Sequence, residues 1–166
     1  MDTSFEINRA NTTTTWLTPI EIINALGSFD LDPCTPPEMP WKTAEHRYTE
    51  EIDGLIMPWF GRVWLNPPYG KGMDKWLKKM AEHGNGVGLY FNRLESNQFH
   101  DWVFPFASGL FFKKQRIYFK DAKGQVPEGS NGPGTGSVFV SYGLENAAVL
   151  KDLPLKGIQG KFIPLH

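Results

Sequence analysis

Short apolar runs alternate with a segment of helical period in the middle of the chain, and that alternation constrains the fold most. "RVWL" at 62–65 and "GVGLYFN" at 86–92 read as buried strands. Between them, "MDKWLKKMAEHG" at 73–84 puts Met73, Trp76, Leu77 and Met80 on one helix side and lysines on the other. Strand, helix, strand in that order implies parallel neighbours in an open α/β sheet. Upstream, "TPIEIINALG" reads as a helix with Thr18 as N-cap, Pro19 at the first helical position and Gly27 as a stop. "FDLDPCT" follows as a short strand ending in an acidic turn, and 35–50 as a proline-punctuated loop with one helical turn. Downstream, "SNQFHDWVFPFA" predicts a helix capped by Ser96. "GLFF" at 109–112, "RIYF" at 116–119, "SVFVSY" and "KFIP" predict strands, and "LENAAVLKDL" a short helix. The expected sheet is mostly parallel, with an antiparallel strand near the C-terminus.

At 166 residues and 40% hydrophobic composition the chain suits one domain, spanning 16–166 behind a polar arm at 1–15. The single cysteine, Cys34, rules out an intrachain disulfide framework and a cysteine-based zinc site. His46, His83, His100 and His166 do not pair at metal-ligand spacing, so no metal is expected. The N-terminus lacks a signal-peptide pattern, and the apolar run at 102–112 is too short to span a bilayer. A soluble intracellular protein is expected. A formal charge of −1 leaves any polyanion contact to a local basic patch. Lys113, Lys114, Arg116, Lys120 and Lys123 form the best one, beside a loop at 120–136 rich in Gly and Pro. Lys71, Lys75, Lys78 and Lys79 read as the solvated face of a helix.

The stretch that carries chemistry is "VWLNPPYG". Pro67 and Pro68 fix φ and remove two backbone donors, so carbonyl oxygen is what the turn exposes. The Asn66 side chain adds a second acceptor, and Tyr69 adds a flat face. Two acceptors beside a stacking surface suit a planar group with an exocyclic NH₂. The lone pair of such an amine is delocalised into its ring. Accepting both N–H bonds draws electron density back onto nitrogen and activates it without a strong base. The turn after "FDLD" and this one both lie at strand carboxyl ends, where open α/β sheets place ligands, so one crevice is expected. Alone, the motif also fits a stiff exit from the sheet, Asp53-Gly54 fits an ordinary turn, and Arg93 and Arg116 fit surface ion pairs.

"NPPY" after "RVWL", with "WLTP", "FDLDPC", "DGL" at 53–55, "NRLESNQFHDWV" and "QRIYF" in that order, resembles the phage-type, Dam-like DNA N6-adenine methyltransferases. The resemblance runs from about Trp16 to Tyr142. It implies a single-domain, Rossmann-like class I methyltransferase sheet that uses S-adenosylmethionine. It also implies a DNA substrate, double-stranded, and a phage- or prophage-encoded protein in the bacterial cytoplasm. By this resemblance Trp16, Thr18 and Pro19 form the N-terminal cofactor element. Asp32, Pro33 and Cys34 form the turn near the methionine moiety. Asp53, with Gly54, accepts from the cofactor's adenine amine, and Asn66 borders the cofactor. Asn66 and the Pro67 carbonyl take the target amine, Pro68 holds that geometry, and Tyr69 stacks on a flipped base. Tyr69, Arg93, Lys113, Lys114 and Arg116 contact DNA. "DPCTPPEMPW" departs from the family pattern in having no glycine after the acidic turn, and it leaves the ribose-binding acid unassigned between Glu38 and Glu45. Cytosine N4, RNA adenine and a protein glutamine remain alternative acceptors, and a non-catalytic nucleic-acid-binding module remains a rival of another class.

Overall fold

The computed structural model describes residues 16–128 and 135–166. The arm at 1–15 and residues 129–134 of the glycine-rich loop lie outside the described residues. The chain runs α1 (Ile20–Leu26), β1 (Leu31–Asp32), β2 (His46–Arg47), β3 (Val63–Leu65), α2 (Met73–His83) and β4 (Gly86–Phe91). A π-helical turn (Phe99–Val103) leads to β5 (Gly109–Lys113) and β6 (Ser137–Tyr142). After these come α3 (Leu144–Lys151), a 3-10 turn (Leu153–Lys156) and β7 (Gly160–Pro164). The strands form one mixed sheet in the order β2-β1-β3-β4-β6-β5-β7. This is a mixed α/β architecture built on one seven-stranded sheet.

Pairing is parallel from β2 through β1 and β3 to β4. It is antiparallel for β4 with β6, β5 with β6, and β5 with β7. The antiparallel part is therefore larger than the one strand expected. Strand alternation sorts the core onto two faces. Trp64, Val87, Leu89, Phe111 and Phe139 pack with α1, α3 and the 3-10 turn. Val63, Leu65, Tyr90, Val138 and Val140 pack with α2 and the π-helical turn.

Several expectations are corrected. Residues 116–119 form no strand. β6 and β7 already flank β5, and Gln115 turns the chain with φ 66°, so Ile117 and Phe119 are buried without a ladder. Lys120 alone pairs, antiparallel, with Leu17. Thr18 does not cap α1. Pro19 is the N-cap residue and its carbonyl accepts from Ile22 N–H at 3.0 Å, with no side-chain cap. The loop at 35–50 holds the short strand β2 rather than a helical turn. Ser96 does accept from Phe99 N–H at 3.4 Å, but the following turn closes with the wider i to i+5 bond from Phe104 N–H to Phe99 carbonyl. Lys79 is not simply solvated: its ammonium donates to the Leu55 carbonyl at 2.8 Å and the Met57 carbonyl at 2.5 Å.

A polar knot around the buried Asn146 lies at the amino edge of β3. Arg62 donates to Asn146 Oδ1 at 2.6 Å, to the Ser28 carbonyl at 2.8 Å and to the Leu26 carbonyl at 2.9 Å. Asn146 donates in turn to Asn85 Oδ1 at 2.9 Å and to the Tyr142 carbonyl at 2.8 Å. Asn146→Ala leaves a half-buried guanidinium N–H without its acceptor and the buried Tyr142 carbonyl without that donor, so it should lower the unfolding free energy by about 1–3 kcal/mol, read by urea denaturation.

Candidate active site

The carboxyl ends of β1 and β3 meet. The Cys34 thiol donates to the Asn66 carbonyl at 3.1 Å, and Cys34 N–H donates to Asp32 Oδ1 at 3.2 Å. Burial pushes the Cys34 thiol up, and the Asp32 carboxylate pushes it further. It is a neutral donor. Asp32 is itself buried, and loss of solvent raises it to about 6. The Thr43 hydroxyl, the Cys34 N–H and the Arg47 charge oppose that rise. Gly54, in a separate turn, packs against the turn after β1. A Cβ there would sit 2.0 Å from the Pro33 carbonyl oxygen, so only glycine allows the contact. Asp53 Oδ1 accepts from Leu55 N–H at 2.9 Å, which is the bond of an ordinary Asp-Gly turn.

Asn66 is the junction. Its side-chain Nδ2 donates to the Trp16 carbonyl at 3.1 Å, across 50 residues of chain. The Tyr69 hydroxyl shares its single proton between the Leu89 carbonyl at 3.0 Å and, more weakly, Asn66 Oδ1 at 3.3 Å. Burial raises the Tyr69 phenol well above its usual range, so it too remains a neutral donor. Among the described residues nothing donates to the Pro67 carbonyl. The site thus presents one side-chain oxygen with a spare lone pair and, next to it in the chain, one main-chain oxygen. The Tyr69 ring stacks on Phe91 with centroids 3.9 Å apart and planes 19° apart.

Beyond Tyr69 and Phe91 lies a cavity of about 220 Å³, also lined by Met73, Arg93, Gln98 and Phe99. The Arg93 guanidinium and the Gln98 amide make no hydrogen bond among the described residues. Lys113 ends β5, two places from β4 in the sheet, Lys114 follows it, and the Lys113 ammonium donates to the Lys114 carbonyl at 3.0 Å. Arg116 is exposed on the segment that leads to Lys120. Trp16 is exposed, whereas Thr18 is buried and its hydroxyl has no partner.

The model of one protein family, DNA N-6-adenine-methyltransferase (Dam), matches residues 8–143. The chain belongs to that family. No curated protein and no solved structure matches it. The family carries the methylation of DNA adenine as its named activity. Among the described residues no helix is long and apolar enough to cross a membrane.

Of the residues singled out from sequence, the structure joins Trp16, Asp32, Cys34, Asn66 and Tyr69 through hydrogen bonds, and Pro33 to Gly54 by contact. It does not join Asp53 to Asn66 by any hydrogen bond. Thr43, which holds Asp32, and Phe91, which carries Tyr69, were missed. Phe91 had a signal as the last apolar residue before a polar strand exit. Thr43 had none inside its loop.

The Asp32 shift has a consequence for stability. Its folded value, about 6, lies above the ordinary 3.8, so between those values the folded state binds more protons. Stability therefore falls as pH rises through that window, by about 3 kcal/mol in total. Asp32→Asn cannot ionise. Urea denaturation at pH 4 and pH 7 should show the variant gaining on the native protein by about that amount at the higher pH.

Proposed function

We propose that this chain transfers a methyl group from S-adenosylmethionine to the N6 amine of adenine in DNA, on a Rossmann-like class I sheet. The observation that carries the reading is the pair of acceptors at Asn66 Oδ1 and the Pro67 carbonyl, fixed between two prolines and a stacked tyrosine. They accept from the two N–H bonds of the amine and bring its lone pair onto nitrogen. Pro68 keeps the turn rigid. Tyr69, backed by Phe91, offers its remaining face to the base. The adenine leaves the duplex to reach this turn, which costs a few kcal/mol. Arg93, Lys113, Lys114 and Arg116 lie at the same sheet edge and supply phosphate contacts.

The cofactor fits the residues beside this turn. The buried Thr18 hydroxyl lacks a partner, and a ligand carboxylate would satisfy it. Trp16, Pro19, Asp32, Pro33 and Cys34 complete that wall, with Asp53 and Gly54 beyond Pro33 and Asn66 at the border. When bound, S-adenosylmethionine supplies an electrophilic methyl group open to direct displacement by an amine.

Labelled S-adenosylmethionine, unmethylated double-stranded DNA and nucleoside chromatography test the reading. Label is expected in N6-methyldeoxyadenosine. Asn66→Ala removes one of the two acceptors and should cut transfer by about 10²–10³-fold. Its affinity for S-adenosylhomocysteine by calorimetry should stay largely intact. Full transfer by that variant, or label in cytosine, RNA or protein instead, would overturn the mechanism.

A further inference from the structure

A side-chain amide can face its acceptor either way round, and only one way serves the proposed chemistry. With Oδ1 toward the substrate, Asn66 accepts from an amine. With Nδ2 toward it, Asn66 repels the same amine. The turn itself does not decide between the two. The Tyr69 hydroxyl can donate or accept, so its contact with Asn66 tolerates either orientation.

The Trp16 contact does decide. A main-chain carbonyl is an acceptor only, so it selects Nδ2, at 3.1 Å, and turns Oδ1 away from itself. Trp16 can do this only if its own main chain is held. The next residue holds it: Leu17 N–H donates to the Lys120 carbonyl at 2.8 Å, and Lys120 N–H donates to the Leu17 carbonyl at 2.9 Å. Leu17 is buried, which anchors the strap from the other side. This pair is an isolated antiparallel bridge outside the named strands.

We propose that the Trp16 carbonyl, strapped in place by the Leu17–Lys120 pair, is the positioning group that fixes which end of the Asn66 amide faces the substrate. The inference rests on the role of Asn66 given above. The N-terminal strap is then part of the amine-binding geometry as well as a wall of the cofactor site. Its loss leaves Asn66 present but free to rotate, and small misplacements of this kind can cost on the order of 10²-fold in rate.

Lys120→Pro tests the strap, because proline lacks the N–H that bonds Leu17 while residue 120 is only half-buried. The first readout is independent of activity. Side-chain amide signals of Asn66, assigned by their loss in Asn66→Ala, are followed by hydrogen exchange in the ¹⁵N-labelled protein. One Asn66 proton should exchange at least about tenfold more slowly than those of the exposed Asn97, and Lys120→Pro should abolish that difference. The second readout is kinetic. Lys120→Pro should lower kcat at least about tenfold with little change in KM for DNA, since it disturbs the acceptor rather than a phosphate contact. Lys120→Ala loses the same charge but keeps the main-chain pair, and its kcat should exceed that of Lys120→Pro at least about fivefold. Free exchange of both Asn66 protons in the native protein overturns the proposal, and so does a kcat for Lys120→Pro within twofold of native. Protected exchange in a protein that leaves DNA adenine unmethylated upholds the strap and overturns the function assigned to Asn66.

Discussion

The Asn66 carbonyl takes the Cys34 thiol at 3.1 Å, its Nδ2 takes the Trp16 carbonyl at 3.1 Å, and its Oδ1 takes the Tyr69 hydroxyl at 3.3 Å. These bonds tie three segments: the chain before α1, the turn after β1 and the turn after β3. The sheet alone binds β1 to β3 weakly, through one register pair, Leu31 with Val63. The carboxyl edge therefore depends on residue 66 for its shape. Replacing that residue with alanine keeps the Cys34 bond, which uses its main-chain carbonyl, and loses the two side-chain bonds together with an acceptor.

The donors at this junction are neutral, and burial is the reason. Loss of solvent keeps the Cys34 thiol and the Tyr69 phenol protonated. An ionised thiolate beside the Asn66 carbonyl would place two acceptors together and repel it. Asp32 adds to the rise at Cys34; burial lifts its own carboxyl to about 6, so below that value the pair is neutral and above it the carboxylate charge is present.

How much of this could be read from sequence follows from the range of each interaction. Periodicity located α2, β3, β4 and β6, because burial against a sheet imposes a local pattern that survives in the chain. The same reasoning failed at 116–119, where Ile117 and Phe119 alternate with exposed Tyr118 like a strand. Alternation records burial, and no sheet edge was free beside β5 to turn it into a ladder. β2 was missed because two residues are too few to carry a period. At the site, proline chemistry exposed the acceptors at 66–67 directly. The bonds from Thr43 to Asp32 and from Asn66 to Trp16 left no local trace, since they span 11 and 50 residues and rest on ordinary side chains.

The stack of Tyr69 on Phe91 bears on how a planar ligand would bind. One face of the Tyr69 ring is covered at 3.9 Å, and its hydroxyl is pinned by the Leu89 carbonyl at 3.0 Å. The ring cannot swing without breaking both contacts, so it acts as a wall and not as a flap. Because a base would meet a face already ordered, the side-chain entropy of stacking is lost on folding and not on binding. The same rigidity limits tolerance. A base displaced along the wall would lose the acceptors at residues 66 and 67 together, because the intervening prolines leave the turn no freedom to follow it. Discrimination in such a site comes from where the amine falls relative to two fixed oxygens, and a ring that places its amine elsewhere is rejected by geometry alone.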